Sequence, residues 1–289
     1  MRVSVAPWRS SRRHRHAWLA LLLASLLLLS TKLSAAEPGA PSKPQFPGWH
    51  DAPLPDGPVG AAIAQGRRIV GNAPKYAAAY AGNGMTCTNC HLDGGRTPAA
   101  APWVGVWGVF PEFRARNAKV NTLADRINDC FERSLNGKRL PLGAPEMTAM
   151  LSYMQWLSRE VPTGQSVAGR GFLRFESPKP ASAERGAPLY TQICATCHGR
   201  NGAGRGTLGT ADFVPPLWGP KSFNLGAGLA RLGNAAAFVK ANMPLGAGGS
   251  LSAQDAADIA AYFTQQPRPD FAGKAQDWPQ GGKPPDARY

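Results

Sequence analysis

Two copies of the run Cys-x-x-Cys-His, at Cys87–His91 and Cys194–His198, constrain this chain more than any other feature of it. On one helical turn two thiols at this spacing add to the two vinyl groups of a haem, and the adjacent imidazole meets the iron. A zinc site would need the two Cys pairs close together in the fold. A thioredoxin-like site would need a strand-rich βαβ context. The pairs lie far apart in the chain, and no stretch shows sustained period-two alternation. Two covalently bound haem c groups are therefore expected, one on Cys87, Cys90 and His91 and one on Cys194, Cys197 and His198.

The surroundings of the motifs repeat as well. Short helices are predicted over 65–71 and 184–193, leading into each Cys pair. Ala101-Pro102-Trp103-Val104-Gly105 mirrors Pro215-Pro216-Leu217-Trp218-Gly219 downstream. Loops of this kind supply the carbonyl that orients a ligating His through its other ring nitrogen. Thr122 is placed to cap a helix with Leu123, Ile127, Cys130, Phe131 and Leu135 near one face, which Gly137 ends. Met147, Met150, Leu151, Met154 and Leu157 fall at helical spacing over 146–158, and Ser252 with Asp255 resembles a capping box. The fold class is all-α, two tandem cytochrome c-type haem domains with long loops. The expected bounds are 37–165 for the first domain, 166–183 for a linker, 184–267 for the second domain and 268–289 for a Pro/Gly-rich tail that wraps the surface or is disordered.

The first 36 residues read as an export signal. Arg2, Arg9, Arg12, Arg13 and Arg15 precede thirteen uncharged residues from Ala17 to Leu29, and Ser34-Ala35-Ala36 offers a small-residue cleavage site. An uncleaved N-terminal anchor is the alternative. No later apolar run is long enough to span a bilayer, so a soluble periplasmic protein without stable membrane insertion is expected. The net charge of +14 falls once this leader, with six basic residues and no acidic one, is removed. The remaining positive balance suits anionic partners. No nucleic-acid motif or Lys/Arg block accompanies it, so small anions or acidic proteins are favoured over nucleic acid.

Each iron needs a sixth ligand or an open position. In the second domain Met243, in Asn242-Met243-Pro244, is the only methionine, and no spare His or Cys competes with it. In the first domain Met85 lies too close to the attachment turn, and the Met147, Met150, Met154 stripe suits core packing. His50 is a weaker candidate in a Pro/Gly-rich segment. Cys130 is the fifth cysteine, the one that haem attachment leaves over. It is either an inert core thiol or a haem ligand, since an unpaired thiol in an oxidising compartment must be buried or used. Arg126, Cys130 and Ser134 share one helix face, with Arg114 and Arg116 before the helix and Lys138 and Arg139 after it. That arrangement is either a solvated basic face or an anion pocket around a sulfur ligand.

At these residues the sequence resembles the thiosulfate dehydrogenases, dihaem c-type enzymes that couple two thiosulfates into tetrathionate. The likeness runs through Val109-Phe110-Pro111 and Arg114-Ala115-Arg116, then Arg126-Ile127-Asn128-Asp129-Cys130-Phe131-Glu132-Arg133-Ser134, Glu146-Met147, Trp156-Leu157-Ser158, Pro215–Gly219 with Ser222-Phe223-Asn224, and Asn242-Met243-Pro244. It implies that His91 and Cys130 ligate a catalytic haem and that His198 and Met243 ligate an electron-transfer haem. It also implies that Arg116, Arg126 and Ser134 line the substrate pocket. Where some relatives carry a Lys that replaces the Met on iron, this chain has Asn242, so no such exchange is carried over.

Thiolate ligation favours ferric iron and His/Met ligation raises the potential. Electrons are therefore expected to pass from the first haem to the second and on to an external acceptor such as a small c-type cytochrome. Thiosulfate sulfur is expected to react at Cys130, forming a Cys S-thiosulfonate that a second thiosulfate attacks. Two other readings compete. One is a non-catalytic electron carrier with His/Met ligation in both domains, and the other is a Cys-ligated sulfur-oxidising cytochrome acting on a carrier protein.

Overall fold

The computed structural model describes residues 52–289. The export leader and His50 lie outside the described residues. Six longer helices carry the fold: α1 (Gly57–Gly71), α2 (Leu123–Arg133), α3 (Pro145–Ser158), α4 (Ala183–Leu189), α5 (Leu232–Asn242) and α6 (Ala253–Gln265). None among the described residues is long and apolar enough to cross a membrane. The caps predicted from sequence form: Thr122 accepts from the Asp125 N–H in a capping box, and Ser252 accepts from the Asp255 N–H. The helix expected over 65–71 starts earlier, at Gly57, because Pro58 sits in its first turn, where a missing N–H costs nothing. The one sheet among the described residues is an antiparallel hairpin of β1 (Glu112–Arg114) and β2 (Lys119–Asn121). Three residues per strand are too few for alternation to register in the sequence.

The repeat is visible in how the helices cross. In the first half α1 packs on α3, and in the second α4 packs on α6. Each crossing is made at a glycine. A Cβ on Gly66 would stand 2.1 Å from the Ala149 carbonyl oxygen, and one on Gly186 would stand 1.9 Å from that of Asp258. Backbones can approach this closely only where one residue has no side chain. The second crossing is also pinned electrostatically: Asp258, on α6, accepts from Arg185 Nε at 2.7 Å and from the Ser182 N–H at 2.7 Å. α4 then runs into a single π-helical stretch, Tyr190–Cys194, that delivers the second Cys pair.

Two apolar cores result, and they are not divided where the sequence repeat divides. Ile63, Ile69, Ile127, Phe131, Met147, Met150, Tyr153 and Leu157 form the first, which also takes in Phe223, Ala227 and Ala230 from beyond the second motif. Tyr190, Trp218, Val239, Ile259 and Phe263 form the second. Burying Phe223 in the first core is worth roughly 1.5–3 kcal/mol, and hydrogen bonds fix its register. Asn224 N–H donates to the Arg133 carbonyl at 3.1 Å, and Asn136 Nδ2 donates to the Ser222 carbonyl at 2.7 Å.

The Pro/Gly-rich tail wraps back onto the first half. Asp277, with its side chain 2% exposed, accepts from both outer nitrogens of Arg133, at 2.7 and 2.8 Å. Arg133 also lies 4.1 Å over the Phe271 ring. Arg116 stacks 5.0 Å over Trp278 and donates to the Gly226 carbonyl at 2.7 Å. The Tyr289 hydroxyl bonds Asp277 as well. Of the two readings that its low apolar content allows, wrapping of the surface is the one that forms, with three aromatics and one buried carboxylate holding the tail in place.

Three outcomes follow from this architecture. Gly186→Ala overpacks the α4–α6 crossing and is expected to lower stability by about 1–3 kcal/mol. Gly71→Ala, where a Cβ meets open space, leaves the melting temperature close to wild type; thermal unfolding of the haem-loaded protein compares them. Asp277→Ala strands the buried Arg133 charge and is expected to cost about 3 kcal/mol by the same measurement.

Candidate active site

A cavity of about 430 Å³ opens against the first Cys-x-x-Cys-His turn. The 3₁₀ turn Cys87–Asn89 presents the first thiol, and Cys90 and His91 follow directly. Thr86 anchors this turn: its hydroxyl donates to the Val70 carbonyl at the end of α1 at 2.9 Å and accepts from the Ala73 N–H at 3.0 Å. His91 Nδ1 donates to the Ala101 carbonyl at 2.6 Å, and the ring packs against Trp103, with centroids 4.7 Å apart. Burial lowers the His91 pKa to about 4, with the Ala101 hydrogen bond opposing and the Arg126 charge assisting. The imidazole is therefore neutral, and with Nδ1 committed to a carbonyl its Nε2 lone pair is available to a metal.

Burial also pushes the Cys87 and Cys90 thiols up to about 12, with the Cys130 charge acting in the same direction on both. None of the five cysteines is engaged in a disulfide. Two neutral thiols, an oriented neutral imidazole and an adjacent cavity are the donor set that covalent haem attachment requires. No group of three or more His, Cys, Asp or Glu side chains arranged for a bare metal ion occurs among the described residues.

The second motif repeats the geometry. His198 Nδ1 donates to the Pro215 carbonyl at 3.0 Å, and burial lowers the His198 pKa. Met243, at the end of α5, packs on the second core together with Ile193, Cys194 and Leu217. The neighbouring Lys240 is directed away from any ligand role, since its ammonium donates to the Gly249 carbonyl at 3.0 Å and also to that of Leu251. Asn242 is buried and donates to the Ala99 carbonyl at 3.2 Å. The residue before Met243 is thus tied to the loop that carries Ala101.

On the cavity wall supplied by α2, Arg126 Nη1 lies 3.0 Å from Cys130 Sγ. The proximity of Cys130 raises the Arg126 pKa further, so the guanidinium is permanently charged beside the sulfur. Ser134, one turn on, lines the same cavity, as do Met150 and Met154 of α3. Arg114 lines it too, whereas Arg116 does not: the tail holds that side chain against Trp278, Gly226 and Asp277. Arg116 lies in the turn after β1, where the Trp278 ring, the Gly226 carbonyl and Asp277 engage its guanidinium. Ser166 and Arg170 also reach the cavity. They lie in the segment that the sequence marks only as a linker, and the Gly-Arg-Gly setting of Arg170 gives no local sign of a wall residue.

Comparison with known proteins agrees with this organisation. Residues 73–163 match the SoxA/TsdA cytochrome c domain, and residues 181–263 match the family described as cytochrome c oxidase, cbb3-type, subunit III. The thiosulfate dehydrogenase of Psychrobacter arcticus is 43% identical over 249 residues, which are 86% of this chain and 76% of that protein. That of Allochromatium vinosum is 46% identical over 222 residues, 75% of this chain and 82% of the relative. The solved structure of the thiosulfate dehydrogenase TsdBA from Marichromatium purpuratum, in its as-isolated form, superposes with a TM-score of 0.71 at 39% identity. That match covers 78% of this chain and 50% of the longer one. With paired cytochrome c domains, covalent haem c attachment and this extent of identity, the chain belongs to the thiosulfate dehydrogenase family of oxidoreductases.

Proposed function

We propose that the chain is an exported, periplasmic dihaem cytochrome that couples two thiosulfate dianions into tetrathionate. Cys87 and Cys90 carry one haem with His91 as ligand, and Cys194 and Cys197 carry the other with His198. Cys130 and Met243 are the second ligands of the respective irons. When bound, the haem groups supply one-electron acceptors whose potentials differ through thiolate and thioether ligation.

The observation that carries this reading is the Arg126–Cys130 contact inside a cavity that also contains Arg114, Arg170 and Ser134. A sulfur nucleophile beside a half-buried fixed cation suits a reaction that brings two dianions together, because arginine stays charged and forks onto oxyanions. In the proposed sequence the Cys130 thiolate and the sulfane sulfur of one thiosulfate form an S–S bond and release two electrons. The sulfane sulfur of a second thiosulfate then attacks the sulfane sulfur of the adduct. The Sγ–S bond breaks, tetrathionate leaves and the thiolate is regenerated. Arg126 offsets the negative charge that gathers when the first dianion approaches the thiolate, and Ser134 offers a hydroxyl to a sulfonate oxygen. The two electrons pass to an external acceptor, for which a small c-type cytochrome is the proposed partner.

Two measurements check this. Intact-mass analysis of the exported protein is expected to show two haem additions, falling to one in a Cys194→Ala/Cys197→Ala variant. Thiosulfate-dependent ferricyanide reduction is expected in wild type and to fall by roughly 10³-fold or more in Cys130→Gly at matched haem content, as for loss of a covalent nucleophile. Equal activity in the two proteins would remove Cys130 from the reaction.

A further inference from the structure

The cavity beside Cys130 takes one wall from the segment joining the two repeats, through Ser166, Arg170 and Gly171. Arg170 Nη2 lies 3.7 Å from Glu112 Oε1. The other oxygen of the same carboxylate, Oε2, accepts from Arg114 Nη1 at 3.0 Å. One carboxylate therefore spans two cavity arginines, and among the described residues it is the one carboxylate paired with Arg170. Burial and then the Arg126 charge disfavour the charged form of Arg114, and Arg170 adds to this, while Glu112 and Asp129 oppose it. Three guanidiniums thus converge on the cavity, and Glu112 is the carboxylate that two of them share.

The main chain fixes where Arg170 stands. The carbonyl of the next residue, Gly171, accepts from the Ala101 N–H at 2.8 Å, and the Ala101 carbonyl is the one that holds His91 Nδ1 at 2.6 Å. Arg170 is held in register with His91 by two consecutive hydrogen bonds, although it lies outside both repeats.

We propose that Arg170 binds substrate as a third cation of the pocket, and that Glu112 is a resident counter-ion which an entering sulfur oxyanion displaces from Arg170 and Arg114. This rests on reading the cavity as the thiosulfate site. The Glu112 pairs are partly open to water, with side-chain exposures of 37% for Arg170, 35% for Arg114 and 32% for Glu112. Ion pairs in such a setting contribute little, so exchanging them for a doubly charged ligand that both forks can grip is favourable. A monoanion would replace one negative charge with one and gain nothing electrostatically. The exchange is therefore a charge filter that favours dianions with a terminal sulfonate, and Glu112 is a positioning residue for it.

The test is calorimetric titration of the haem-loaded, oxidised protein with thiosulfate at low ionic strength, alongside steady-state KM and kcat. Arg170→Ala is expected to weaken binding by about tenfold or more, the range for loss of a charge-assisted contact, and to raise KM with kcat changed far less. Arg170→Lys restores part of the loss. Glu112→Gln is expected to tighten thiosulfate binding a few-fold, and to do so less in the Arg170→Ala background. Binding in Arg170→Ala within twofold of wild type overturns the proposal, as does wild-type protein that binds no thiosulfate. Should Arg170→Ala fail to fold, by circular dichroism and haem absorption, Glu112→Gln decides alone, and unchanged or weaker binding overturns the proposal. Wild type that binds thiosulfate without oxidising it defeats the catalytic reading and leaves the comparison of variants standing.

Discussion

The hydrogen bond from His91 to the Ala101 carbonyl is where the rest of the first half finds its purpose. A histidine can turn either nitrogen toward a metal, and committing Nδ1 to a carbonyl leaves one choice. That carbonyl is useful only if its own loop is fixed, and two separate parts of the chain fix it while a residue of the loop itself backs the imidazole. The joining segment grips Ala99 and Ala101 through the carbonyls of Gly169 and Gly171. Asn242 reaches the Ala99 carbonyl from α5, and Trp103 packs its ring on the imidazole itself. The counterpart bond, His198 to Pro215, sits on the second core through the neighbouring Leu217 and Trp218.

Around this frame the charges are partitioned rather than pooled. Arg126 faces the Cys130 sulfur, Arg114 and Arg170 share Glu112, and Arg133 with Arg116 is drawn to Asp277 on the far side of α2. One short helix thus separates cations that face the cavity from cations that hold the tail. The separation matters because guanidiniums repel each other in a partly dry site, and each needs its own source of negative charge. A basic chain can concentrate positive charge at one cavity only if the remaining arginines are compensated locally.

Much of this was legible in the sequence for reasons that can be stated. The Cys-x-x-Cys-His turns are local, and their chemistry depends on spacing alone. The α2 cap and the Arg126–Cys130–Ser134 face follow from helical periodicity, and the cavity wall bears out that grouping. The Arg126–Cys130 contact follows from the same i, i+4 spacing. Arg114 ends β1 and Arg116 lies in the turn that follows, so no single periodicity relates the two side chains. Arg170 was hidden because a segment rich in Gly and polar residues reads as a spacer, and its packing depends on partners more than fifty positions away, such as Glu112. The anchor points of the tail were illegible for the same reason: Phe271, Trp278 and Asp277 find their places only on a surface built by residues 116–133.

The return of that tail has a consequence for how the molecule is made. Residues 271–289 leave the ribosome after both Cys-x-x-Cys-His turns, yet they cover Arg133 and Trp278 sits over Arg116 in the first half. Phe223, which completes the first core, is also a late arrival. A chain delivered N-terminus first therefore holds its first half in an unfinished form until residues 271–289 have followed. In that interval α2, whose face carries Arg126 and Cys130, lacks the carboxylate and the aromatic ring that later hold Arg133 at its end.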